Sequence, residues 1–267
     1  MLKDKETLSN EVNRIVIKVG TSTLAHPNGK ANIRHIKKLV SVISDIRNSG
    51  KEVALVTSGA IGIGAGKLNI TKPRDTAGRQ ATSAIGQCEL MFIYDKIFAE
   101  YGYATGQFLL TKRDVDNVEC KENLINAFEK VFEYGAIPII NENDVVAIDE
   151  IVYGDNDSLS AIVARLIKAD KLIILTDIDG LYDRNPEEEG ATLISEVTEI
   201  NDDLFAIAGG RGSTLGTGGM TTKLQAAKIA TQAGIETIII NGKDPDNVYK
   251  ILDGEKIGTL FVTKKSR

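Results

Sequence analysis

Histidine and cysteine are almost missing from this chain, with two of each in 267 residues. His26 and His35 lie early, in a loop and on a predicted helix, and are expected at the surface because they fit no ligand spacing. A histidine-based metal centre and a Ser–His nucleophilic triad are excluded by shortage of material. Cys88 and Cys120 form no motif and no disulfide framework, so both read as ordinary helix residues. A basic surplus is missing too. The 32 Lys and Arg stand against 37 Asp and Glu, giving a formal charge of −5. That is the wrong balance for a nucleic-acid binder, and Lys264, Lys265 and Arg267 read as a short solvated tail. No apolar run approaches the ~18 residues that cross a bilayer. The polar start MLKDKETLSNEVNR lacks the apolar core of a signal peptide. A cytoplasmic protein with no membrane and no nucleic-acid partner is the expectation.

What is present is 42% hydrophobic and 26% charged, the profile of a globular protein. Short apolar runs predict strands at Ile15–Val19, Val53–Thr57, Ala104–Leu110, Ile137–Ile140, Lys171–Thr176 and Glu236–Asn241, with Thr259–Thr263 as an added edge strand. Val145–Val152 reads as a hairpin. Helical periods run over Ile33–Asn48, Asp75–Tyr101, Leu124–Tyr134, Leu159–Ile167 and Met220–Ala233. Asp157 or Ser158 reads as the N-cap of the fourth of these. Near-continuous Val/Ile/Leu strands alternating with helices predict an α/β fold, a three-layer αβα sandwich around a mainly parallel central sheet. The length suits one domain over residues 1–267 with two fused lobes, about 14–168 and 169–263.

Ligands of such sheets gather at the carboxyl ends of the strands. The unusual residues stand there: Lys18-Val-Gly-Thr-Ser, Ser58-Gly-Ala, Asn141-Glu-Asn-Asp and Thr176-Asp177. Three glycine-rich stretches, Gly20–Thr23, Gly59–Gly66 and Gly209–Gly219, either bring backbone N–H groups up to phosphate or serve as flexible loops and tight helix packing. Spacing rules out the familiar nucleotide machines. Gly66-Lys67 has Ile61 and Leu68 where a P-loop needs Gly and Ser/Thr, and Gly20-Thr-Ser-Thr-Leu lacks the later glycines of a dinucleotide fingerprint. The protein-kinase catalytic loop is absent, and Val56-Thr-Ser58-Gly-Ala lacks the leading glycine of a nucleophile elbow.

Six segments, in order along nearly the whole chain, resemble the amino-acid kinase family. They are Ile-Lys-Val-Gly-Thr-Ser (17–22), Val-Thr-Ser-Gly-Ala-Ile (56–61), Pro-Ile-Ile-Asn-Glu-Asn-Asp (138–144), Gly-Asp-Asn-Asp-Ser-Leu-Ser-Ala (154–161), Leu-Thr-Asp-Ile-Asp-Gly-Leu-Tyr (175–182) and Gly-Thr-Gly-Gly-Met-Thr-Thr-Lys-Leu-Gln-Ala-Ala (216–227). The Asn-Glu-Asn-Asp and Gly-Asp-Asn-Asp pair points within that family to the branch acting on free glutamate. The resemblance implies ATP-dependent phosphorylation of the γ-carboxylate of L-glutamate, the first step of proline biosynthesis, with Mg²⁺ carried as MgATP. It implies Lys18, Lys223 and Asp157 as catalytic residues and Ser58, Asp144 and Asn156 as substrate positions, with Asn141 and Asp155 added. Lys18, Thr176, Asp177, Thr217, Gly218, Gly219, Met220, Thr221, Thr222 and Lys223 would hold the nucleotide. Tyr182 stands either near the adenine or in the core. A homo-oligomer, dimer or tetramer, and feedback inhibition by proline belong to the same implication. The chain stops soon after Gly258-Thr-Leu-Phe-Val, as expected of a kinase-only form without the C-terminal RNA-binding-like domain of many such enzymes.

Elementary chemistry assigns compatible roles. The attacking carboxylate is ionised at pH 7, with a pKa of ~4.3, so a histidine-poor site suffices. The obstacle is bringing an anion to a polyanionic triphosphate, which lysines and helix-terminal N–H groups relieve. Two buried lysines facing one another need a carboxylate between them, a task for Asp157. Asp177-Ile-Asp179 and Asp155-Asn-Asp157 both read as Mg²⁺ contacts, with no tight metal site expected without nucleotide. A sister kinase for aspartate or N-acetylglutamate, or a non-catalytic sensor on the same fold, is the alternative.

Overall fold

The computed structural model describes residues 12–147, 156–209 and 219–263. The strands are β1 (Arg14–Val19), β2 (Glu52–Val56), β3 (Thr105–Leu110), β4 (Ile137–Glu142), β5 (Lys171–Thr176), β6 (Glu196–Val197), β7 (Glu236–Asn241) and β8 (Thr259–Phe261). The helices are α1 (Thr21–Leu24), α2 (Ile33–Asn48), α3 (Ala60–Leu68), α4 (Thr76–Glu100), α5 (Lys112–Asp116), α6 (Val118–Glu133), α7 (Asn156–Leu166), α8 (Asp202–Ala208), α9 (Met220–Gln232) and α10 (Asn247–Leu252). One sheet runs β3-β4-β2-β1-β5-β7-β8-β6. It is parallel from β3 through β7, and β8 turns antiparallel against β7. Thr259–Phe261 is therefore an interior strand, since β6 pairs along its outer side.

Parity along the strands assigns the layers, because successive side chains of a strand point to opposite faces. Ile15, Ile17, Val53, Leu55, Ile137, Ile139, Ile173 and Leu175 join one apolar core with α2, α4 and α10. Val16, Ala54, Val56, Ile140, Leu172 and Ile174 join the other with α6, α7 and α9. Both faces are covered, so the strands read as continuous apolar runs rather than alternating ones. The expected αβα sandwich is what forms. No helix among the described residues is long and apolar enough to cross a membrane.

Local chemistry accounts for the departures. The Gly59–Gly66 stretch is a helix, α3, and its glycines serve close packing. A Cβ added to Gly64 would lie 1.9 Å from Thr82 O, and one on Gly86 would lie 1.8 Å from Ala60 O. Only bare backbone lets α3 and α4 approach this closely. The helix expected from Leu124 begins six residues earlier, capped by Asn117, whose Oδ1 accepts from Cys120 N–H at 2.9 Å. Before it, Thr111 and Asp114 form a capping box that starts α5. Where a hairpin was expected, Val145 and Val146 lie in a turn, with Val146 N–H donating to Asn143 O at 3.1 Å; residues 148–152 lie outside the described ones. His26 is exposed as expected, whereas His35 is half-buried and burial lowers its pKa.

Candidate active site

Lys18 is the one buried charged residue of β1, at a position whose parity directs it to the α7/α9 face. The structure places Asp157 and Lys223 on that face. Lys18 Nζ lies 2.6 Å from Asp157 Oδ1, and Lys223 Nζ lies 3.1 Å from Asp157 Oδ2. Thr222 Oγ1 donates to the same Oδ2 at 2.9 Å. The three charged residues are buried, Asp157 completely. Burial works against the Asp157 carboxylate, but the two ammoniums outweigh it and hold its carboxyl below the usual range. Asp157 sits within the first turn of α7 rather than capping it. Three helix-turn and strand-end groups thus converge with a net charge of +1, counting two lysines against one aspartate.

Beside this triad the backbone is open. Gly20 follows β1, and a Cβ there would lie 3.7 Å from Lys18 Nζ. The space next to the ammonium is kept clear, which fits a phosphate-bearing group. Gly219 N-caps α9, and among the described residues nothing lies within reach of an added Cβ. Thr176, buried at the end of β5, donates to Asp177 Oδ1 at 3.1 Å, and Asp177 is exposed. Asp179 accepts from Asn241 Nδ2 at 2.8 Å, tying the loop after β5 to the end of β7. Tyr182 is half-buried, with its hydroxyl 3.4 Å from Asp179 Oδ2. Met220 and Thr221 lie in the first turn of α9, with Thr221 exposed. Asp155, Thr217 and Gly218 lie outside the described residues. Among the described residues no cluster of three or more His, Cys, Asp or Glu is arranged to hold a metal.

A second polar cluster occupies the α4 face of the same sheet end. Asn141, next to last in β4, has the parity that points to α4, and its Nδ2 donates to Gln87 Oε1 at 2.8 Å. Asn156 Nδ2 donates to Asn141 Oδ1 at 3.0 Å and to Ser58 Oγ at 2.9 Å. Asp144 accepts from Ser83 Oγ at 2.7 Å. Burial pushes the Asp144 carboxyl upward, opposed by the Ser83 hydroxyl and by the Arg79 and Lys72 charges. Thr57 Oγ1 and Tyr94 OH pair at 2.9 Å behind Ser58. Gly59, at φ +98°, makes the turn that lifts Ser58 off the strand.

Of the predicted amino-acid positions, Ser58, Asn141 and Asn156 are hydrogen-bonded together, and Asp144 is held against α4 by Ser83, one turn from Gln87. Ser83, Gln87 and Tyr94 were not predicted. They share one face of α4 by helical spacing, and that face touches the ends of β2 and β4. Their signal was neutral polar residues on the buried side of a long helix, where apolar ones belong.

The amino acid kinase family model matches residues 13–241. The chain belongs to the amino acid kinase family. A glutamate 5-kinase of Clostridium perfringens is 54% identical over 258 residues, covering 94% of this chain and 96% of the relative. One of Clostridium acetobutylicum is 49% identical, covering 98% and 99%. Among solved structures, a UMP kinase from Bacillus anthracis superposes with a TM-score of 0.66 at 16% identity, over 95% of this chain and 97% of that one. An isopentenyl phosphate kinase from T. acidophilum gives 0.65 at 18%, over 93% and 100%. At such identities those two establish the amino acid kinase fold alone.

Proposed function

We propose that this chain transfers the γ-phosphoryl group of ATP to the γ-carboxylate of L-glutamate, forming L-glutamyl 5-phosphate and ADP as the first step of proline biosynthesis. The observation that carries the reading is the buried Lys18–Asp157–Lys223 triad. Its excess positive charge at the carboxyl ends of parallel strands suits two anions forced together, and half-identical relatives bear the matching name. ATP, bound with Mg²⁺, supplies the phosphoryl group. A glutamate carboxylate oxygen attacks phosphorus, the new O–P bond forms, and the bond to the ADP oxygen breaks. No proton needs removing, since the carboxylate is already ionised at neutral pH.

Lys18 and Lys223 stabilise the charge that spreads over the transferring group. Asp157 pairs with both ammoniums and keeps them aimed. Lys18, with Thr176 and Asp177 and the stretch 217–223, forms the nucleotide side, and Gly20 leaves room for phosphate. Ser58, Asn141, Asp144, Asp155 and Asn156 form the amino-acid side, with the Asp144 carboxylate matched to the α-ammonium. The two lobes, 14–168 and 169–263, correspond to the amino-acid and nucleotide sides, with Lys18 contributed to the nucleotide side by the first. Cytoplasmic location, assembly into dimers or tetramers and inhibition by proline extend the same reading.

The test is ADP release by the purified chain with MgATP and, in turn, glutamate, aspartate, N-acetylglutamate and UMP. Turnover with glutamate is expected. Turnover with another acceptor and none with glutamate moves the chain to a sister kinase, and no turnover with any leaves a binding module.

A further inference from the structure

The amide cluster on the α4 face has a direction set by the backbone. Glu142 N–H donates to Asn141 Oδ1 at 2.9 Å. A backbone N–H only donates, so this contact fixes which end of the Asn141 amide is oxygen. Asn141 must then offer Nδ2 to Gln87, and Gln87 must answer with Oε1. Asn156 must likewise offer Nδ2 to Asn141 Oδ1. Two atoms are left over, a donor at Gln87 Nε2 and an acceptor at Asn156 Oδ1. Both are buried, and neither has a hydrogen-bond partner among the described residues. Gln87 as a whole is only 7% exposed. Buried polar atoms left unpaired by the protein itself are satisfied by water or by a ligand. A donor and an acceptor at opposite ends of one relay match a zwitterion, which brings a carboxylate and an ammonium.

We propose that Gln87 is a specificity-determining residue whose Nε2 donates to the α-carboxylate of the bound amino acid, while Asn156 Oδ1 accepts from its α-ammonium. This deepens the glutamate reading and rests on it. Gln87 also holds Asn141 in register, so replacement touches both ends of the relay.

The experiment compares L-glutamate with its α-amide, which keeps the γ-carboxylate and the ammonium but carries a neutral carboxamide at the α-position. The wild-type chain should prefer glutamate by at least roughly tenfold in kcat/KM, the scale of one hydrogen bond to a charged group. Gln87→Glu keeps an oxygen for Asn141 but sets a carboxylate against a carboxylate. It should raise the glutamate KM roughly ten- to hundredfold, leave the ATP KM nearly unchanged, and turn the preference toward the amide, whose N–H₂ can donate to Glu. Gln87→Met, of similar shape, should raise the glutamate KM and level the preference, and it decides the matter if the charged variant does not fold. A rise in both KM values with an unchanged glutamate-to-amide ratio would mean a merely structural role and overturns the proposal. Parity between the two substrates in the wild-type chain overturns it without any variant. Absence of glutamate turnover in the wild type instead refutes the underlying glutamate reading.

Discussion

Replacing Asp157 with Asn isolates the electrostatics of the triad. The Asp157 side chain is 0% exposed, and those of Lys18 and Lys223 are 7% and 8% exposed. The substitution keeps shape and removes the negative charge that pairs with two buried ammoniums. Removing one partner of a buried ion pair costs about 3–5 kcal/mol. At ~2–4 °C per kcal/mol for a chain of this size, Tm should fall by roughly 6–20 °C at pH 7. The pH dependence has a definite sign. The folded-state pKa of Asp157 is depressed, so its contribution is complete above the unfolded value of ~3.9 and is lost as pH falls through the folded value. The gap between wild type and variant should therefore hold from about pH 5 through neutrality and close on acidification. Saturating ATP should raise the Tm of the variant more than that of the wild type, because an anion replaces the missing charge. Thermal unfolding followed by circular dichroism across that pH range reads all three effects. Equal Tm values at pH 7 would refute the triad as a buried charge balance.

Lys18→Ala and Lys223→Ala should each lower kcat by about 10²–10³, the cost of losing one transition-state stabiliser, as steady-state ADP release will measure. Burial raises the Asp144 carboxyl above its ordinary 3.8. The glutamate KM should therefore fall as pH rises through that raised window and the carboxylate forms to meet the ammonium. Asp144→Asn should flatten that slope and raise the glutamate KM roughly tenfold or more with little change for ATP. A raised folded pKa contributes stability at low pH that is lost as pH rises, so the same variant should unfold no earlier than wild type at pH 7. Gly86→Ala forces a methyl toward Ala60 O. It should cost at least about 1–3 kcal/mol by overpacking, seen as a lower denaturation midpoint, and should weaken glutamate binding by displacing Gln87.

The sheet was legible because parallel strands covered on both faces must be continuous apolar runs, and six such runs stand out. Lys18 was legible for the same reason, as a charge where the pattern allows none. Thr176, Ser58 and Asn141 followed as polar residues at strand ends. The helix α3 was hidden because glycine lowers helix propensity, and only its close contact with α4 makes Gly64 and Gly86 sensible. The α4 contribution was hidden more deeply. Ser83, Gln87 and Tyr94 carry no charge signal, and their importance lies in meeting Asp144, Asn141 and Thr57, contacts separated by 61, 54 and 37 positions. Short, imperfectly periodic elements such as α5 and α10 were missed because capping and tertiary packing hold them more than propensity does.

The most direct measurement is trapping of the acyl phosphate. With MgATP, L-glutamate and hydroxylamine, the purified chain should yield the γ-hydroxamate of glutamate in step with ADP, identified by mass spectrometry of the isolated product. ADP release that neither depends on glutamate nor yields the γ-hydroxamate would contradict phosphoryl transfer to that carboxylate at the Lys18–Asp157–Lys223 site.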